Sequence, residues 1–475
     1  MVSNLYEPQL TMEPHTAKQV EKREPPTQTA LKKPSSTLYR WLGHKKTNKP
    51  RMLHQSMQLP KMAKAMQLFD QPEVTDIPAK IREELIKKNI KSRVKPEQRI
   101  AVTAGSRGIS NIPLILKTIV NELKQAGAKP FIITAMGSHG GATPEGQIEV
   151  LESLGITEES VEAPIEASME VDIIGKLSDG VEVYLSRLAM KADGIFVVGR
   201  IKPHTDFKGE IESGLLKMLA IGLGNQKGAE MIHWHRYDGY HRILPEAGKL
   251  IAEKSNIVMG LALMENAHHK TAMIKALYPE EFYEEELLLL EKAKDLLPRL
   301  PFKDIDVLVI EEIGKNISGV GMDTNVTGKF WMPNEHDPRA PDIKKIAVLD
   351  LTEESHGNAI GLGLADVTTR RAFEKIDHHQ TYVNCLTQGS GETGKIPPYL
   401  ANDRDAIATA IRISGPIAPK EARVIRVKNT QELDTIYIST ALVKDLQNDP
   451  ELQKKLILVE ELKEMQFDVM GYLAR

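Results

Sequence analysis

Three times in the first half of this sequence a short apolar run stops at a polar loop that carries glycine. "RIAVTA" (Arg99–Ala104) leads into "GSRGIS", "KPFIITA" (Lys129–Ala135) into "MGSHGGATPEGQ", and "GIFVVG" (Gly194–Gly199) into "RIKPHTD". The first two loops give way to helical spacing, over Ile112 to Gln125 and through about Leu154. The second of these helices has a strong start, with Thr143 as N-cap and Pro144 at the first helical position. Strands that alternate with helices in this way predict an α/β fold with a mostly parallel sheet.

A second block of the same kind follows the acidic helical stretch "EEFYEEELLLLEKAKDLL". Its strands read as "DVLVIEE" (Asp306–Glu312), "KKIAVLDL" (Lys344–Leu351) and "ARVIRV" (Ala422–Val427). At 475 residues, 41% of them hydrophobic, the chain can bury two ordinary cores. The expectation is two α/β domains with mostly parallel sheets and an active site in the cleft between them. The divisions expected are a disordered leader over 1–55, an N-terminal cofactor-binding and catalytic domain over 56–300, a C-terminal α/β domain over 301–440, and a helical segment over 441–475. The leader stands apart by composition, being rich in proline and lysine, with ten Lys/Arg against four Asp/Glu and no apolar period.

Bulk properties narrow the function classes. A net charge of −3 gives no reason to expect nucleic acid. No apolar run is long enough to span a bilayer, and the N-terminus lacks the pattern of a signal peptide. Cys385 is the single cysteine, so an intrachain disulfide, a thiolate zinc cluster and a protein-ligated iron–sulfur cluster are excluded. A cytoplasmic location is the simplest expectation.

The loops that follow the three strands carry Arg107, His139 and His204. In open α/β sheets ligands bind outside the carboxyl ends of the strands, so the three loops point at one place if their strands are neighbours. Gly105, Gly137 and Gly141 allow close backbone approach and could cradle a phosphate. His204 follows "KP", and the proline stiffens the frame that holds it, as a general acid or base requires. Downstream, "GLLKMLAIGLG" encloses Lys217 among Leu215, Leu216, Met218, Leu219 and Ile221. Either its stem packs and its amine reaches water, or desolvation lowers its pKa and makes the amine a usable nucleophile. His233 follows in "MIHWHRYDGYH". With His235 it offers two imidazoles, fewer than the three or four protein ligands zinc prefers. Nickel(II) would need only one imidazole if a cofactor supplied the remaining ligands.

These residues resemble the lactate racemase family, whose members use a nickel-pincer nucleotide. The likeness covers most of the chain from about residue 55 and rests on "AGSRGIS" with Arg107, "GSHGGATPEG" with His139, and "GRIKPHTDFKGEIESGLLK" with His204 and Lys217, followed by His233. It implies that the Lys217 amine is joined to the pincer and that His233 completes the coordination of nickel. It further implies that His139 and His204 are an alternating acid/base pair and that Arg107 holds the substrate carboxylate. The reaction implied is racemisation of a 2-hydroxy acid through hydride transfer to the cofactor. The partners implied are a small hydroxy-acid substrate and the pincer-synthesis enzymes, with neither nucleic acid nor membrane.

The sequence departs from the family pattern in ways that bear on substrate. The family's "D-x-T-R-P" loop keeps only its arginine here, and the arginine after the "GxH" histidine has become Gly140. Asp206, Lys208, Glu210 and Glu212 lie between His204 and Lys217. Lys315 and Asn316 are the candidates for the polar groups that the family's second domain offers to substrate. Altered polar groups around a kept core suggest the same cofactor with a different substrate, a 2-hydroxy acid or sugar acid other than lactate. The alternatives are a zinc- or lysine-dependent lyase or hydrolase, and a non-catalytic binding protein on the same fold.

Overall fold

The computed structural model describes residues 57–474; the leader lies outside the described residues. Its strands are β1 (Met62–Gln67), β2 (Arg99–Ala104), β3 (Lys129–Thr134), β4 (Ile165–Glu166), β5 (Val171–Lys176), β6 (Glu182–Ser186), β7 (Gly194–Arg200), β8 (Ile257–Glu265) and β9 (Thr271–Leu277), then β10 (Asp304–Ile310), β11 (Asp342–Val348), β12 (Val367–Thr369), β13 (Tyr399–Leu400), β14 (Val424–Val427), β15 (Thr435–Ser439) and β16 (Leu456–Leu458). They form a six-stranded sheet in the order β4-β3-β2-β7-β8-β9, an eight-stranded sheet in the order β13-β12-β11-β10-β14-β15-β1-β16, and the separate hairpin β5-β6. The first sheet is parallel from β4 to β8, with β9 antiparallel at its edge. The second is parallel from β13 to β14 and antiparallel beyond. The fold class is α/β with mostly parallel sheets.

Both faces of each sheet are buried, as parallel sheets require. Along β2, β3 and β7 the side chains alternate between two cores. Ala101, Phe131, Ile133, Ile195 and Val197 lie on one side. Ile100, Val102, Ile132, Phe196 and Val198 lie on the other. In the second sheet Leu308 and Ile310 face one core and Val307 and Val309 the opposite one.

The helix over Ile112–Gln125 and the one over Pro144–Ser153 form where their patterns predict, the latter with the Thr143 hydroxyl accepting from Gly146 N at 3.1 Å. Two segments differ from the sequence reading. Met62–Gln67, early in the chain, pairs with β15 and β16 and so belongs to the second sheet. Residues 441–475 are helical only over Thr440–Asn448 and Pro450–Gln453, after which Leu456–Leu458 becomes a strand. β1 lies between β15 and β16, and β16 pairs with three of its residues to form the outer strand of the sheet. Among the described residues no helix is long and apolar enough to cross a membrane.

Candidate active site

Strand β2 is hydrogen-bonded to β3 on one side and β7 on the other. The chain moves outward from β2 in opposite directions to either side, so the crevice at the carboxyl ends of β2 and β7 is the topological switch point of the sheet. Arg107 follows β2, His139 follows β3 and His204 follows β7, so neighbouring strands deliver all three loops to this crevice.

The His139 loop is held by Gln147, whose Nε2 donates to Gly137 O at 3.0 Å from inside the following helix. Gly137 and Gly141 both have φ of +63. A Cβ on Gly137 would come within 3.1 Å of Ile221 Cγ2, whereas one on Gly141 would meet nothing within 4 Å, so Gly141 alone of the two leaves open space. The His204 loop is fixed from below by Glu212, a buried carboxylate that accepts from His204 N at 2.7 Å and from Lys208 Nζ at 3.0 Å.

Lys217 ends a single α-turn, Leu215–Lys217, and a π-helical turn over Met218–Gly222 follows. Leu215, Leu216 and Leu219 are buried in the core, which leaves Lys217, Met218 and Ile221 on the partly exposed face. The start of this turn is capped by Glu286, whose carboxyl accepts from Leu215 N and, at 3.1 Å, from Leu216 N. Gly222 closes it against the end of β3, where a Cβ would stand 2.8 Å from Ala135 O. A Cβ on Gly105 would likewise stand 3.3 Å from Met218 Cε. Gly105 thus keeps the Arg107 loop close to the lysine turn.

An aromatic column joins these groups. The Phe207 ring lies 4.6 Å from that of His204 and stacks on Tyr240 at 4.4 Å. His233, from the helix over Asn225–Trp234, lies 5.7 Å from Tyr240, and Lys217 Nζ stands 5.6 Å over Phe207. Phe207, Tyr240 and Glu286 carried no signal in the sequence beyond their residue types.

The second sheet supplies the other wall. Trp331 Nε1 donates to Asp206 Oδ1 at 2.9 Å, Asn325 Nδ2 donates to His204 O at 3.3 Å, and Glu335 accepts from Lys208 N at 2.7 Å. A Cβ on Gly319 would lie 3.5 Å from Arg107 Nη2, and Lys315 Nζ donates to Gly319 O at 2.8 Å. Arg107 and Lys315 therefore reach Gly319 from opposite sheets. Asn316 is engaged elsewhere, its Oδ1 accepting from Thr352 Oγ1 at 2.7 Å. The amide beside Lys315 is Asn384, 2.8 Å from its amine, which spatial neighbourhood provides and chain neighbourhood does not. His235 is exposed at the helix end and diverges from His233.

Electrostatics bind the set together. Burial, opposed by Asp206, lowers the Lys217 amine to about 8, with Arg107 adding to the fall. His233 is lowered to about 4 by desolvation and then by Lys217. His139 is lowered to about 4 by desolvation, then by Arg107, Lys315, Lys217 and His233. His204 falls well below its usual range for the same reasons, with Lys217 the leading charge. Lys315 is lowered to about 8 by desolvation and by Arg107. At neutral pH the site thus holds three neutral imidazoles amid cations, and Asp206, its own carboxyl raised by burial, acts on Arg107, Lys217 and Lys315. Asp206 N donates to His204 Nδ1 at 3.1 Å, so in neutral His204 the ring proton sits on Nε2. Two surface hollows of about 470 and 390 Å³ contain none of these residues.

In structure the chain is similar to a protein of Thermotoga maritima solved by a structural genomics consortium, at 15% identity over 69% of this chain and 82% of that one, with a TM-score of 0.46. It is also similar to the lactate racemase apoprotein of Thermoanaerobacterium thermosaccharolyticum, at 13% identity over 74% of this chain and 85% of that one, with a TM-score of 0.42. No curated protein matches it significantly in sequence. Residues 53–236, which contain Arg107, His139, His204, Lys217 and His233, match the family model of the lactate racemase N-terminal domain.

Proposed function

We propose that the protein is a racemase or epimerase of a 2-hydroxy acid or sugar acid, working with a nickel-pincer nucleotide joined to Lys217. The observation that carries this reading is the donor set at the switch point: one lysine amine lowered to about 8, three neutral imidazoles around it, and Arg107 with no carboxylate in ion-pair contact among the described residues. Attachment through an amine requires the free base, and an amine of pKa about 8 is roughly a tenth unprotonated at pH 7, against well under a thousandth for an ordinary lysine. His233 offers one neutral nitrogen to a metal. Among the described residues no three His, Cys, Asp or Glu side chains lie close enough to hold a metal by themselves. That donor set suits a metal whose remaining ligands come with the cofactor, and it speaks against a zinc site built from His204, His233 and His235.

When bound, the nickel-pincer nucleotide supplies a reversible acceptor for the hydride on substrate C2. The chain's own residues do the rest. Arg107 takes the substrate carboxylate through a bidentate contact, with Lys315 beside it. His139 and His204 stand on either flank of Arg107 as the acid/base pair. His139, unprotonated at neutral pH, takes the hydroxyl proton of one hand of the substrate as C2 flattens to the keto state. His204 presents Nε2–H in its resting tautomer, so it meets that hand as a hydrogen-bond donor. To take the hydroxyl proton of the opposite hand, His204 would need its other tautomer, with the proton moved to Nδ1 and the Asp206 N–H bond given up. Closure of the two walls around this centre excludes water from the hydride step.

The test is peptide mass spectrometry across Lys217 with nickel analysis, on protein co-produced with the pincer-synthesis enzymes. The expected result is a pincer-sized adduct on Lys217, about one nickel per chain, and neither in Lys217→Ala. Bare Lys217 without nickel, from a host that loads another family racemase, overturns the reading.

A further inference from the structure

Two amide side chains are joined to Lys315 by hydrogen bonds, Asn384 directly and Asn358 through Asn384. Lys315 Nζ donates to Gly319 O and to Asn384 Oδ1, both at 2.8 Å, and both acceptors are uncharged. An ammonium can only donate, so this bond fixes which end of the Asn384 amide is oxygen. Asn358 Nδ2 donates to the same oxygen at 3.1 Å, while its own Oδ1 accepts from Ile360 N at 3.2 Å, which fixes the second amide too. Both residues are half-buried. The Nδ2 of Asn384 donates to nothing among the described residues, and Asn358 uses one of its two amide hydrogens. Three oriented amide N–H bonds are therefore open, next to the one ammonium hydrogen that Lys315 has left. Asn384 lies on the helix over His378–Thr387 and Asn358 in the loop after β11.

We propose that Asn384 and Asn358 form a subsite for hydroxyl groups beyond C2, so that the substrate is a polyhydroxylated sugar acid. This rests on the racemase or epimerase reading above. With the carboxylate on Arg107, a chain running past Gly319 brings its later carbons to Lys315 and then to the two amides. Neutral amide donors match sugar hydroxyls, each of which can accept from one of them. A second carboxylate on the substrate would call for a further unpaired cation there, and the two amides are uncharged. A plain alkyl tail would leave the amide hydrogens without acceptors once water is displaced.

The test is calorimetric titration of the cofactor-loaded enzyme with a six-carbon aldonate, 2-hydroxyhexanoate and 2-hydroxybutanedioate, each assayed also for inversion at C2. Two neutral hydrogen bonds predict an aldonate Kd about tenfold below that of 2-hydroxyhexanoate. In Asn358→Leu, which removes one of those bonds, that ratio falls to about threefold. Asn358 does not touch the Lys315 amine, so a ratio that stays at tenfold in the variant overturns the subsite. So does equal binding of the two six-carbon acids, or tightest binding of 2-hydroxybutanedioate. If Asn358→Leu does not fold, Asn358→Ala makes the same comparison. An aldonate preference that depends on Asn358, without inversion of any acid, upholds the subsite and overturns the epimerase. Inversion of acids without that preference does the reverse.

Discussion

His233 carries a stability cost that can be read directly. Its imidazole is lowered to about 4 in the fold, chiefly by desolvation, against about 6.5 in an unfolded chain. Between those values the unfolded state binds more protons, so stability falls as pH drops from about 6.5 to about 4 and the loss levels off below. A single such group sets a limiting slope of about 1.4 kcal/mol per pH unit. His233→Asn should therefore show a shallower loss of stability over this window in urea unfolding, and should be indistinguishable from the parent in slope above pH 7. An unchanged slope between pH 4 and 6.5 would mean that the ring is solvated. The residues that the fold gathers at this crevice stood out in the sequence because type and local context marked them: a lysine among leucines, a histidine after proline, an arginine between glycines. Trp331, Asn384, Tyr240 and Glu286 were not. Each acts across a large sequence separation, and Glu286 sits in a run of acids and leucines where nothing local distinguishes it from its exposed neighbours.

That glutamate governs the element on which Lys217 rides. It is 2% exposed, one oxygen accepts from two N–H groups at the start of the lysine turn, and the other finds no partner. Burial raises its carboxyl to about 8, against the pull of those two N–H groups. The sign is opposite to that of the histidine. Between about 4.5 and 8 the folded state binds the extra proton, so stability falls as pH rises through this window. Glu286→Gln keeps an acceptor for Leu215 N and Leu216 N without a charge to bury, and its stability should not decline over that range. Glu286→Ala orphans two buried donors and should cost on the order of 1–3 kcal/mol per donor near pH 5, a deficit that narrows toward pH 8 as the parent loses stability. A parallel decline of parent and Glu286→Gln on thermal unfolding from pH 5 to 8 would refute this account. Regular elements were the legible ones at this scale. The strand over Arg99–Ala104, the helix over Ile112–Gln125 and the Thr143 cap follow from periodicity and capping chemistry. The π-helical turns over Met218–Gly222 and Gly239–Ile243 were not legible. An apolar run reads the same with one residue more or less per turn, and the wider turn is selected by what packs on it, here the end of β3 against Gly222.

Chain order suggests two domains that meet at a cleft, one before about residue 300 and one after. The pairing of strands is less separable, because β1 leaves the second sheet to begin the chain's passage through the first. A lone alternating strand some 240 residues from its sheet cannot be assigned by pattern, since either sheet would bury it equally well. The two walls are also joined at the site. Lys208, from the His204 loop, donates to Glu212 Oε2 on its own side at 3.0 Å and to Asn325 Oδ1 on the other, and Thr324 and Trp331 reach the same loop. His204 thus sits on a loop whose position depends on both sheets, and a movement of one wall is a movement of His204. If this loop is the mechanical joint, Lys208→Met and Asn325→Leu should not add. A double-mutant cycle by chemical denaturation should give a coupling of about 0.5–3 kcal/mol, as for residues within one hydrogen-bond network. Additivity to within about 0.5 kcal/mol would place the joint elsewhere, in the contacts that Thr324, Trp331 and Glu335 make with the same loop.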